Sequence, residues 1–147
     1  MAATIKVYGH VGVHLRNGDI AWDTDTIKMS LHTSAYAVNQ GNDEFFSAVT
    51  NEIAAGGGYT AGGFALSGLS RTYDATTREE RFIASNFSVA ALTPASAFRY
   101  GVIYKSTGVA GTLILIAYIN FGADQNPGGL PFAIQWAASG VWYAQAS

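Results

Sequence analysis

At 147 residues the chain has the size of one domain, and residues 1–147 are expected to form a single β-rich unit. Asp, Glu, Lys and Arg make up only 12% of it, about half of the roughly 25% usual for a soluble domain. A formal net charge of −2 gives no basic footprint for nucleic acid, and the absence of cysteine excludes a disulfide framework and a thiolate zinc site.

The shortage of charge predicts an exterior hidden against other subunits or partners, since a free monomer keeps its surface wet with charge. A neutral surface of Ser, Thr, Asn and Gly is the alternative. The first residues, MAATIKVYGHVGV, alternate polar and apolar types, and no run approaches eighteen apolar residues, so neither a signal peptide nor a membrane span is expected.

Period-two alternation dominates the chain. In residues 5–15, Ile5, Val7, Val11, Val13 and Leu15 share one face, which predicts a strand ended by a turn at Asn17-Gly18-Asp19. Residues 27–32 read as a second strand with one solvated face carrying Lys28, Ser30 and His32. Asn42, Asp43 and Glu44 before Phe45, Val49 and Ile53 suit a short amphipathic helix. Residues 54–63, AAGGGYTAGG, are a loop by glycine content, either a simple turn or a docking loop.

Residues 64–73 and 78–89, around Asp74-Ala75-Thr76-Thr77, read as a hairpin. Residues 98–105 and 112–121 form another, and TLILIAYINF, apolar on both faces, reads as a central strand. Residues 132–137 and 141–144, turning at Gly140, read as a closing strand pair. The whole predicts an all-β fold: a single-domain antiparallel β-sandwich or barrel with one short helix.

No catalytic or metal site emerges, and no cofactor is expected. Asp23 and Asp25 lack the further oxygen ligands and glycine of a calcium loop, so they read as turn residues accepting local N–H bonds. On a strand, His10 and His14 would stand about 13 Å apart, too far to share a metal, and all three histidines read as exposed strand residues. Adjacent Glu79 and Glu80 between Arg78 and Arg81 read as a charged hairpin arm. No Gly-x-Ser-x-Gly elbow is present, and the glycine loop lacks a phosphate-binding ending. The aromatic residues suit a core or subunit contacts. Tyr8, Trp142 and Tyr143, near the chain ends, and Tyr59, on the glycine loop, are the candidate partner contacts.

Ile20-Ala-Trp-Asp-Thr-Asp-Thr-Ile-Lys28, Thr33-Ser-Ala-Tyr36, Phe45-Phe-Ser-Ala-Val-Thr-Asn-Glu52, Gly58-Tyr-Thr-Ala-Gly-Gly63, Tyr100-Gly-Val-Ile-Tyr-Lys105 and Leu115-Ile-Ala-Tyr-Ile-Asn-Phe-Gly122 together resemble a family of small structural proteins of tailed bacteriophages. The resemblance runs over roughly residues 5–137 and implies a virion component made in the bacterial host's cytoplasm. With the composition, it favours a capsid decoration or cement protein that binds the major capsid protein, copies of itself, or both, without nucleic acid or membrane. The alternative is a tail, neck or fibre-associated component forming a ring or trimer, its Trp and Tyr side chains touching host glycans; copy number per particle separates the two. A polysaccharide-cleaving enzyme using Asp23 and Glu79 is the least supported class.

Overall fold

A computed structural model describes residues 3–109 and 111–145. The described elements, in chain order, are β1 (Thr4–Val7), α1 (Val11–Asn17), β2 (Ile27–His32), a 3₁₀ turn (Phe46–Ala48), β3 (Phe64–Ala65), β4 (Ser70–Asp74), β5 (Glu79–Ile83), β6 (Phe87–Val89), β7 (Phe98–Lys105), β8 (Ile114–Gln125), β9 (Phe132–Ile134) and β10 (Trp142–Gln145). They form a five-stranded sheet in the order β1-β8-β7-β2-β3, a three-stranded sheet β10-β5-β4 and a pair β6-β9. Every pairing is antiparallel. The fold is therefore all-β and sandwich-like, with one α-helix.

Apolar residues on one face of the five-stranded sheet, among them Ile27, Met29, Leu31, Ile103 and Ile119, meet Phe82, Phe132 and Trp142 from the two smaller sheets. Trp22 is wholly buried there. Its ring lies edge-on to Phe82 and Trp142, 6.0 and 6.3 Å away, and these two stack face to face at 3.8 Å. The Trp22 indole N–H donates to the Ile83 carbonyl at 2.9 Å, so burying this large side chain leaves no orphan donor.

The opposite face carries Tyr8, Tyr36, Val102, Tyr104, Leu115 and Tyr118 as a second core. Residues 33–53 cross it as a belt. They are tied to the sheet by main-chain bonds from Phe46 N to Leu113 O, Leu115 N to Glu44 O and Ile53 N to Leu31 O. Both faces of the sheet are thus covered, which is why β7 and β8 read as nearly continuous apolar runs.

A β-bulge interrupts the β7–β8 ladder. Ile103 faces Ala117 while Tyr104 faces Leu115, so Ile116 is an extra residue with no partner on β7, although its carbonyl accepts from Tyr8 N on the β1 side. Glycines allow close approaches elsewhere. A Cβ on Gly63, at φ +90°, would lie 1.9 Å from the Met29 carbonyl oxygen, and one on Gly57, at φ +61°, 1.8 Å from that of Thr93.

Five expectations are corrected. The strand expected over 5–15 ends at Val7 and gives way to α1, because Val11, His14 and Leu15 share a helical face while Gly18 closes the helix in the left-handed conformation, its N–H donating to His14 O and Leu15 O. The helix expected from Phe45 is a single 3₁₀ turn, since Phe45 bridges Ile114 and Thr33 N bonds Asn51 O; sheet contacts override the local periodicity. The strands expected to pair with each other at 132–144 instead join different sheets, β9 to β6 and β10 to β5. Strand β2 has no solvated face: Ser30 and His32 are buried under the belt. The hairpin expected over 64–73 and 78–89 forms only between Ser70–Asp74 and Glu79–Ile83, since Phe64–Ala65 pairs with β2 and Phe87–Val89 with β9; the one at 98–125 follows the expected pairing.

Candidate functional site

The chemically active side chains are held in structural networks. The hydroxyl of Tyr36 donates to Asp43 Oδ2 at 2.9 Å and accepts from Tyr8 at 2.9 Å, so the tyrosine pair anchors the belt to the sheet. Burial pushes both phenols well above their ordinary range, so both stay neutral and keep their donors. Tyr59 likewise donates to Glu52 Oε2 at 2.6 Å and accepts from Leu31 N at 3.0 Å, and burial raises its phenol too. Tyr104, pushed by burial up to about 12, donates to the Gly62 carbonyl.

Ser30 and His32 have the contacts of a nucleophile and its base. Ser30 Oγ lies 2.7 Å from His32 Nε2, and His32 Nδ1 lies 2.9 Å from Thr50 O. A carbonyl only accepts, so Nδ1 carries the proton and Nε2 accepts from the serine. Both residues are 0% exposed, enclosed beneath the belt. Burial holds the His32 imidazole below its ordinary range and hence neutral, the state this pair of bonds requires.

His14 is placed differently from expectation. It sits on α1, one turn from His10, so the 13 Å separation argued from strand geometry does not apply. Its two ring nitrogens lie 2.8 Å from Asp19 Oδ2 and 2.9 Å from Glu44 Oε1, joining the helix to the belt. Among the described residues no group of three or more His, Cys, Asp or Glu side chains could hold a metal ion. Asp25 Oδ2 accepts from Ala21 N at 2.7 Å and meets Lys105 Nζ at 3.1 Å, while Asp23 pairs with Arg71 at 3.5 Å; both are turn and packing residues. Arg81 meets Glu79 and Asp74 at 2.9 and 3.0 Å across the β4–β5 hairpin.

The four expected contact residues separate. Tyr8, Tyr59 and Trp142 are 1%, 3% and 5% exposed, so nearness to a chain end or to a glycine loop did not put them at the surface; Tyr143 is 47% exposed. The Trp142 indole N–H has no hydrogen-bond partner among the described residues.

The surface is divided by charge. Of the 8 Lys and Arg and 10 Asp and Glu, six lie in residues 70–83: Arg71, Asp74, Arg78, Glu79, Glu80 and Arg81. Residues 82–98, 106–123 and 125–147 contain none. Residues 53–70 contain none either, and uncharged side chains from 63–67, 85–89, 133–143 and the first strand line a continuous band of four grooves. One, of about 500 Å³, lies between residues 63–67 and 85–89. The next shares Asn86, Phe87 and Ser88 with it and runs along Ala133, Ile134 and Gln135. The third shares Ile134 and Gln135 and continues past Trp136 to Ile5, and the fourth shares Ile5 and Val141 and ends at Tyr143. No Asp, Glu, Lys, Arg or His lines any of the four. A fifth groove, between α1 and β4–β5, carries Arg16, Arg71 and Glu80. Ile5 and Tyr143, which line the band, are exposed.

Comparison with known proteins finds no matching family model, no matching curated protein and no matching solved structure. Among the described residues no helix is long and apolar enough to cross a membrane. The band is a property of the folded chain that residue-by-residue reading missed. The signal was present in long charge-free segments, 53–70, 82–98, 106–123 and 125–147, which the total composition averages away.

Proposed function

We propose that the protein is a non-enzymatic structural component of a bacteriophage particle, a capsid decoration protein that clamps the head shell through its neutral band. The observation that carries this reading is the continuity of four grooves, linked by shared lining residues, that no charged side chain lines. Interfaces exclude charge from their centres and enrich aromatic side chains there, and Phe87, Trp136 and Tyr143 line this band. The sequence blocks resembling phage virion proteins supply the kind of assembly, and many weak contacts acting together would hold the shell. The enclosure of Ser30 and His32 supports a role without catalysis.

Recombinant protein mixed with undecorated heads is expected to bind them and raise their disruption temperature. Ile5→Glu and Tyr143→Glu, which place charge on the band, should weaken binding, whereas Thr72→Glu on the charged hairpin should not. Absence of wild-type binding at saturating concentration rejects the reading.

A further inference from the structure

Natural sheets guard their edge strands with charge, proline, bulges or a covering segment, because an unpaired edge templates another chain. Two outer strands of this molecule follow that rule. Strand β4 carries Arg71 and Asp74, and β1 carries Lys6 and has its Val7 carbonyl capped by Gln40 Nε2 at 2.7 Å. Strands β9, β10, β3 and β6 do not, and of these β3 and β6 face each other. Each is the last strand of its sheet, neither carries a charge or a proline, and both face one cleft of about 500 Å³.

The register shows what β3 offers. Leu66 N donates to Ile27 O on the β2 side, and Ser67 O accepts from Ser85 N at 2.8 Å on the cleft side. Bonds alternate sides along a strand, so the N–H and C=O of Ala65, opposite Lys28 in a non-bonded position, point into the cleft. The Ser85–Ser67 bond closes one end, beyond which the walls run antiparallel without pairing. The rings of Phe64 and Phe87, 5.0 Å apart, join the two walls.

We propose that this cleft is a strand acceptor, taking an extended, uncharged segment of a partner protein as an added strand between β3 and β6. Main-chain donors and acceptors on β3 are satisfied by another main chain, and walls without charge favour a segment without charge. This deepens the assembly reading and rests on it for the partner's identity, while the site itself is testable alone.

The probe is the capped peptide acetyl-TVSVT-amide, with a twin whose valines are N-methylated and so lack donors. Amide spectra of the protein should shift at residues 63–67 and 85–89 with the first peptide and stay unchanged with the second. Exchange of the Ala65 N–H should slow on binding. Ala65→Pro removes that donor while leaving the β2-facing bonds of Phe64 and Leu66, and should abolish the shifts. Ser88→Lys guards the opposite wall without touching β3 and should do the same, which decides the matter if Ala65→Pro does not fold. The proposal is overturned by no shift with the first peptide, by equal binding of the N-methylated twin, by an Ala65 N–H already protected in the free protein, or by the same shifts appearing on raising protein concentration alone, which would make a second copy the occupant. Peptide uptake by a protein that does not bind heads fails the assembly reading only; head binding unchanged in Ala65→Pro and Ser88→Lys removes the cleft from that binding.

Discussion

The belt-covered face of the five-stranded sheet and the β10-β5-β4 sheet are built from the same alternating sequences, yet they do opposite things. On the covered face, Tyr8, Tyr36, His32 and Leu115 are shut away, and the polar groups of Tyr8, Tyr36 and His32 all have partners. In the smaller sheet, Ser70, Arg71, Thr72 and Tyr73 are exposed along β4, so both sides of that strand meet solvent; Phe82 and Trp142 anchor the sheet to the body. Charge follows this division. Low overall charge does not describe the exterior evenly, because ionised side chains gather where nothing covers the backbone and are missing from the neutral band.

The comparison fails if the two regions respond alike to substitution. Leu115→Ala, in the second core, should cost about 2–5 kcal/mol in chemical unfolding. Tyr36→Phe leaves Asp43 short of a donor and Tyr8 without its acceptor, and should cost about 1–3 kcal/mol by the same measurement. His32 sharpens the contrast through pH. Its imidazole is held below the ordinary 6.5 by burial, so as the pH falls the unfolded chain takes up a proton before the folded one does. The stability it contributes is complete above about pH 6.5 and drains away as the pH falls below that towards the folded-state value. Urea midpoints of wild type and His32→Gln, followed downward from neutral pH, should therefore converge; a constant gap between them removes the effect. Arg71→Ala and Tyr73→Ser on β4 should each change stability by no more than about 0.5 kcal/mol.

What can be read from the sequence depends on whether neighbours reinforce or override the local pattern. The β4–β5 hairpin is legible because Asp74 closes its own turn, accepting from Thr76 N at 2.9 Å. The β7–β8 pair is legible because residues covered on both faces must be apolar throughout. Residues 5–15 mislead because Val11 and Leu15 fit period two and a helical turn equally, and Gly18, a helix-closing residue, fits a hairpin turn just as well. Residues 45–53 mislead because main-chain bonds to Leu113 and Leu31 hold them against the sheet, a long-range effect that no window contains. Chain ends usually lie outside, but Tyr8 and Trp142 do not, because both terminal strands are stitched into sheets. The neutral band needs the fold, since residues 63–67, 85–89, 133–137 and 3–5 come together only there.

Ile116, without a partner on β7, has a consequence for how the chain can change length. On either side of it, inward and outward positions of β8 are already in phase with β7, Leu115 with Tyr104 and Ala117 with Ile103. Losing that one residue would straighten the ladder without turning any neighbour inside out, whereas a deletion elsewhere in the paired interior of β8 would invert part of the strand. The longest strand thus contains a position where a codon can be lost with the β7 register retained, at the expense of a core isoleucine and of the bond from Tyr8 N to its carbonyl.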